Sequence, residues 1–272
     1  MSRPRRKPST LPIAKPKRRL HSRTTVWDTE IAEIVAEKSR GMLVPTRWLK
    51  FVAAFLMLPM VWASSSTFFQ VFGQAYLTAD FWRSLPFAFF AVGAVLWLVM
   101  FLVNQKPVFI YVLGHELTHA LFVWLMGGKV SRIEISDEGG WVETDRSNFV
   151  IALAPYFLPI YSLLVVGLYA VVDKVWAPPD IQLWLFAGLG FTWSFHLTFT
   201  LWMLPNDQSD IQEHGAFFSL VIIYLMNLLV LSGVLVLATP GVTFAELGHY
   251  WIQQMAETAD AILTLAARVI PV

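Results

Sequence analysis

The chain has 272 residues, of which 56% are apolar and only 14% are charged, and its mean hydropathy is +0.57. Soluble domains average about 25% charged residues, so this composition excludes a disordered chain, a collagen-like fibre and an ordinary soluble enzyme. It indicates an all-α, polytopic integral membrane protein. The chain has no cysteine, which excludes disulfides, cysteine-ligated zinc and thiol chemistry.

The charges are unevenly divided along the chain. Residues 1–50 contain 13 Lys/Arg and 4 Asp/Glu, whereas residues 51–272 contain 7 and 15. The first 23 residues, with nine Lys/Arg, predict a disordered basic tail beside the membrane, where anionic lipid is the natural partner. No folded module accompanies this tail, so we expect no nucleic acid. A short amphipathic helix over 27–40, on the membrane surface, completes the N-terminal region 1–46.

Six long apolar stretches follow, each with the roughly 20 residues needed to cross about 30 Å of hydrocarbon. A segment in lipid must satisfy its own backbone, so all six predict transmembrane helices. They cover 48–72, 84–104, 107–127, 149–172, 181–204 and 216–239. The first two form an N-terminal pair within 47–106, and Lys50 lies at the entry of the first, where it can snorkel. Residues 240–272 predict an amphipathic interfacial helix rather than a seventh span.

One connection differs from the others. Residues 129–146 alternate apolar and polar side chains, with Val130, Ile133 and Ile135 on the apolar side. Asp137–Gly140 supply turn residues. This pattern predicts a small β-hairpin at the membrane edge.

The third apolar stretch contains His115-Glu116-Leu117-Thr118-His119, an HExxH motif. Residues i and i+4 share a helix face, so both histidines can present a nitrogen to one ion. Glu116 lies beside them, placed to take a proton from water at the metal. Zinc suits two imidazoles, a carboxylate and one open position, and it lowers the pKa of water toward 7. A carboxylate in an apolar span costs about 2.5–3.5 kcal/mol. A metal is an economical partner, and the alternative is a polar patch that bonds neighbouring helices.

A third ligand is needed, and the sequence offers several. The candidates in or near the spans are His196, Asp207, Asp210, Glu213 and His214. We favour Asp210, which opens the sixth predicted span, although a carboxylate there is also typical of a helix cap. His214 follows Asp210 by four residues and can join the site or orient it. His196 lies in the middle of a span, where a lone histidine more often bonds a neighbouring helix.

The segment HELTHALFVWLMGGKVSRIEI, followed by a glycine-containing hairpin and a further span, resembles the site-2 protease family of intramembrane zinc metalloproteases. The resemblance is closest to the compact bacterial members that lack a PDZ domain, and it covers about 107–239. It implies a three-helix metalloprotease core in which His115 and His119 bind zinc and Glu116 is the general base. The hairpin 129–146 would hold an extended substrate by strand addition.

Two further segments bear on the resemblance. Ala154-Pro155 lies where the family often has a small residue followed by proline. The family's aspartate ligand lies in an Asn-Pro…Asp-Gly pattern, and the corresponding segment here is Leu204-Pro-Asn-Asp-Gln-Ser-Asp-Ile. The Asp-Gly pair is missing, so the choice between Asp207 and Asp210 stays open on the sequence.

The resemblance predicts a zinc-dependent intramembrane endopeptidase that hydrolyses membrane-protein substrates in a bacterial cytoplasmic membrane. The alternatives are a metal-dependent hydrolase of a lipid-like substrate and a metal-binding scaffold or inactive family member. The orientation is open as well. A basic N-terminus predicts a cytoplasmic start and therefore an external hairpin, whereas family members usually hold the hairpin and zinc toward the cytosol.

Overall fold

The computed structural model describes residues 46–76, 82–103, 106–136, 139–204, 209–238 and 242–269. The predicted basic tail, the predicted helix 27–40 and Asp207 lie outside these residues. In chain order the elements are α1 (Thr46–Leu56), α2 (Leu58–Tyr76), α3 (Leu85–Leu102), α4 (Val108–Leu125), β1 (Val130–Ser136), β2 (Gly139–Thr144), α5 (Phe149–Leu153), α6 (Ile160–Trp176), α7 (Ile181–Met203), α8 (Ser209–His214), α9 (Ala216–Ala238) and α10 (Phe244–Val269).

Four helical segments of the described chain are long and apolar enough to cross a membrane. They are Thr46–Gln74, which joins α1 and α2, Leu85–Leu102, Val108–Leu125 and Ala216–Val236. A fifth is added if Phe149–Tyr156 and Ile160–Trp176, which meet at 73°, are one bent span. The prediction of a helical, multi-span chain is confirmed at this level, and the expected number of six is not reached.

The fifth predicted span, 181–204, does form a helix, α7, but this helix is not apolar enough to count among the candidate membrane spans. The reason is its composition, because one stretch of the helix carries several polar residues: Thr192, Ser194, His196, Thr198 and Thr200. The hydroxyls of Thr192 and Thr198 bond to carbonyls one turn earlier. These side chains lower the hydropathy of the helix without interrupting it.

The fourth predicted span is broken, and two prolines explain the break. A 3-10 turn, Ala154–Tyr156, follows α5, and α6 begins directly after Pro159. Pro155 and Pro159 have no N–H, so each leaves the carbonyl four residues earlier without its helical donor. The carbonyl of Tyr156 accepts a hydrogen bond from Asn227 of α9 at 3.1 Å. Irregular backbone of this kind is tolerated at membrane depth where protein surrounds it.

Helices α3 and α7 make a backbone contact through two glycines. A Cβ atom on Gly93 would lie 2.0 Å from the carbonyl oxygen of Ala187, and one on Gly190 would lie 1.9 Å from that of Phe90. Only glycine allows this approach. Trp97 is fully buried beside the contact and donates from Nε1 to Thr198 Oγ1 at 2.7 Å.

The hairpin is confirmed as a two-stranded antiparallel sheet, in which Ile133 pairs with Val142 and Ile135 with Gly140. Strand β2 already begins at Gly139. The prediction that Asp137–Gly140 forms the turn is therefore wrong for its last two residues. Both strands pack against α4, which places the sheet beside the HExxH motif.

Two apolar clusters border α4. One joins Trp97 of α3 to Tyr111 of α4 and Phe199 of α7. The other joins the broken segment after α5 to α8 and α9 and includes Tyr156 and Ile211. The histidines of the motif lie between these clusters, and α10 packs on α2 away from them.

Candidate metal centre

The structure brings His115, His119 and Asp210 together. The two histidines are one turn apart on α4, and Asp210 is on α8. His115 Nε2 is 3.3 Å from Asp210 Oδ2, and His119 Nε2 is 3.6 Å from the same oxygen. One ligand atom from each residue lies within 4.8 Å of the other two. Three residues that are 4 and 91 positions apart in sequence therefore converge on one point.

The His119 ring is oriented by the broken helix. Its Nδ1 lies 2.9 Å from the carbonyl oxygen of Ile151. A carbonyl only accepts, so Nδ1 carries a hydrogen and Nε2 is the nitrogen that faces Asp210. In a continuous helix this carbonyl would accept from residue 155, which is a proline without an N–H. Pro155 thus leaves Ile151 free to hold the histidine.

The His115 ring lies between two tyrosines. The Tyr111 ring is 5.7 Å from it and the Tyr156 ring 5.4 Å. The Tyr111 hydroxyl is 3.4 Å from Nδ1, so Nδ1 faces a polar partner and Nε2 faces Asp210. A hydrogen-bond partner on the outer nitrogen is the usual arrangement for a metal-binding imidazole.

Asp210 is held by a third polar contact. The Tyr156 hydroxyl donates to Oδ2 at 3.2 Å, and Tyr156 is only 1% exposed. Burial raises the pKa of Asp210, but its contacts with His115 and His119 outweigh burial and hold the pKa below its ordinary value. The carboxylate is therefore ionised at neutral pH. Each of the three side chains thus has one polar partner from outside the group.

The separations fit a metal ion better than direct hydrogen bonds. Two ligands of a tetrahedral metal, each about 2.0–2.2 Å from the ion, lie about 3.3–3.6 Å apart. The distances from Asp210 Oδ2 to the two Nε2 atoms, 3.3 and 3.6 Å, match this spacing. Ordinary N–H···O hydrogen bonds are about 2.9–3.0 Å long. The group can therefore hold a metal ion.

Glu116 faces the same chamber. It is 6% exposed and lines a cavity of about 380 Å³ together with the three candidate ligands and Gly139–Val142 of β2. The backbone of β2 passes directly over it. A Cβ atom on Gly140 would lie 2.6 Å from Glu116 Cγ and 2.9 Å from Oε1. The hairpin therefore fixes both the wall of the chamber and the position of this carboxylate.

The other candidates from the sequence do not join the group. His214 is hydrogen-bonded to Lys50 at 2.7 Å. His196 borders a small cavity of about 20 Å³ on the α7 side of His115. Glu213 is exposed at the rim of the chamber.

Sequence reasoning missed three contributors to the site, and for a fourth, Pro155, it missed the contact that the proline makes possible. Tyr111 had a signal, because it precedes His115 by one helical turn. Pro155 was noted only through the resemblance. The contacts of Tyr156 with Asp210 and of Gly140 with Glu116 join distant segments and left no local pattern.

Comparisons with protein-family models, with curated proteins and with solved structures found no match.

Proposed function

We propose that this chain is a zinc-dependent intramembrane endopeptidase that hydrolyses peptide bonds of membrane-protein substrates. The observation that carries the proposal is the convergence of His115, His119 and Asp210 beside Glu116 in one chamber. HExxH alone supplies two ligands and a base, and the fold adds a carboxylate at the spacing a metal requires. Two histidines and one carboxylate, with an open fourth position, are a common ligand set of catalytic zinc in peptidases.

The chain's own residues divide the chemistry between them. A bound zinc ion supplies a Lewis acid for the substrate carbonyl and lowers the pKa of water. Glu116 accepts a proton from the attacking water as the C–O bond forms. It then gives that proton to the amine nitrogen as the C–N bond breaks. Tyr111, Tyr156 and the Ile151 carbonyl keep the ligand side chains oriented throughout.

Strand β2 favours a peptide over a lipid as the substrate. It lines the chamber from Gly139 to Val142. One edge pairs with β1, and no third strand among the described residues pairs with the other. An extended peptide can add to such an edge through backbone hydrogen bonds. A lipid chain has no groups that would pair in this way.

The apolar helices support a multi-pass membrane location, and the resemblance to compact bacterial proteases is the ground for proposing the bacterial cytoplasmic membrane. Four or five helices of the described chain have the length and hydropathy for it, and α4, which carries the HExxH motif, is one of them. Substrates that reach α4 would arrive within the bilayer, as transmembrane segments whose helices unwind beside β2.

Zinc content and cleavage test the proposal together. We expect about one zinc per purified wild-type chain, retained in Glu116→Gln and Asp207→Ala and lost in His115→Ala and Asp210→Ala. Cleavage of a labelled transmembrane peptide should fall about 10²–10⁴-fold in Glu116→Gln, which removes the base. Wild type without zinc would favour a scaffold. Zinc with hydrolysis of lipid and not of peptide would favour a lipid hydrolase.

A further inference from the structure

A lysine of the first described helix contacts the helix that carries Asp210. Lys50 Nζ of α1 lies 2.7 Å from His214 Nδ1 of α8, across 164 positions of sequence. Lys50 is half-buried, and His214 is only 7% exposed. Two polar side chains withdrawn from solvent in this way are held in a defined geometry.

Helix α8 depends on such contacts for its position. It has six residues, too few for a helix that is stable by itself. Gly215, with a φ of +88°, follows it and turns the chain into α9. Near the middle of α8, the carbonyl of Ile211 accepts a hydrogen bond from Ser219 Oγ at 3.1 Å. The contact with Lys50 secures the C-terminal end, one turn after Asp210.

The hydrogen bond also sets the orientation of the His214 ring. The Lys50 amino group donates to Nδ1, which places the ring hydrogen on Nε2. That nitrogen is buried and has no acceptor among the described residues. A buried donor without a partner is unfavourable. The ring therefore takes this orientation because of Lys50, and not because of a competing partner at Nε2.

We infer that the hydrogen bond from Lys50 to His214 is a positioning contact that fixes α8. It thereby keeps Asp210 Oδ2 opposite the Nε2 atoms of His115 and His119. The part of the inference that concerns metal affinity rests on the proposed function, and the part that concerns α8 does not. Both residues act through Asp210 and touch no substrate. The contact links α1 to the metal centre.

Hydrogen–deuterium exchange of the full-length, metal-free protein tests the effect on α8. We expect exchange in residues 209–214 to rise about tenfold in Lys50→Met, which keeps the side-chain length and removes the donor. Lys50→Arg, which keeps a donor, should stay near wild type. Arg47→Met is the matched control, because Arg47 is exposed on the same helix. Equal exchange in Lys50→Met and Arg47→Met would overturn the inference.

Metal affinity and a cobalt spectrum test the effect on the site. We expect Lys50→Met to weaken zinc binding about tenfold, within the range seen for outer contacts of metal ligands. The visible absorption of the cobalt form should change in Lys50→Met and not in Arg47→Met. The double variant Lys50→Met/His214→Phe should lose no more zinc affinity than Lys50→Met alone, because the two substitutions remove the same hydrogen bond.

The two proposals fail in different ways. Wild type that binds no metal refutes the proposed function, while the exchange experiment still decides whether Lys50 fixes α8. Wild type that binds metal, with Lys50→Met equal to it in affinity and spectrum, refutes the positioning role alone. A loss of affinity in Lys50→Met that Lys50→Arg restores supports it.

Discussion

Substitution of Gly140 by alanine should separate catalysis from metal binding. The added Cβ would lie 2.6 Å from Glu116 Cγ, where ordinary contacts begin at about 3.4 Å. Strand and carboxylate must therefore move apart by about 0.8 Å. A displacement near 1 Å at a catalytic group costs about 10²-fold in rate. Neither His115 nor Asp210 is among the nearest atoms to that Cβ, so zinc content should not change.

The assay is cleavage of a labelled transmembrane peptide together with zinc analysis of the same preparation. We expect Gly140→Ala to retain about one zinc per chain and to lose about 10²-fold in kcat/KM. Gly167→Ala is the matched control, because its added Cβ meets nothing within 4 Å. Full activity in Gly140→Ala, with normal zinc content, would refute the reasoning that the β2 backbone fixes Glu116.

Three further substitutions test contacts around the site and the helix pair. Tyr156→Phe removes the hydroxyl that donates to the candidate ligand carboxylate. Zinc affinity, measured in competition with a chelating dye, should therefore fall about tenfold. Unchanged affinity would show that this hydroxyl does not support the metal ligand. Pro155→Ala restores an N–H that competes with a ligand histidine for the Ile151 carbonyl. In the same assay we expect zinc affinity to fall by less than in Tyr156→Phe, and tighter zinc binding would contradict this role of Pro155. Gly190→Ala forces α3 and α7 apart and should destabilise the protein by about 1–3 kcal/mol or more. Gly233→Ala, whose Cβ meets nothing, is its control in thermal unfolding followed by circular dichroism, and equal unfolding temperatures would argue against the close contact.

Periodicity on one helix was enough to predict part of the site. His115 and His119 share a face because they are four residues apart, and that geometry is independent of the rest of the fold. The choice of Asp210 over Asp207 rested on its position before a predicted helix, and the structure places Asp210 with the histidines. The contacts of Gly140 with Glu116 depend on tertiary packing, which the sequence of one segment does not encode.

The helices show the same division between local and tertiary information. Hydropathy located the long helices α2, α3, α4, α6, α7 and α9, because an apolar run of 17–23 residues is a local property. It did not predict the break between α5 and α6, where carbonyls without a helical donor find distant partners: Ile151 contacts His119, and Tyr156 accepts a hydrogen bond from Asn227. Hydropathy also predicted α7 as a membrane span, although its polar side chains, which neighbouring helices accommodate, leave it less apolar than the candidate spans. Thr198, for example, accepts a hydrogen bond from Trp97.

The pairing of α3 with α7 bears on how the chain is assembled. In a membrane, α3 has a hydropathy of 2.4 and is apolar enough to insert alone, and it is synthesised before α7. Helix α7 partitions into lipid less readily because of its histidine and hydroxyl side chains. We therefore expect α7 to enter the bilayer against an α3 that is already in place, with Gly190 as its docking point. Biogenesis of the second helix would then depend on the first, and a defect at this contact would appear as misinserted chains before it affected any chemistry.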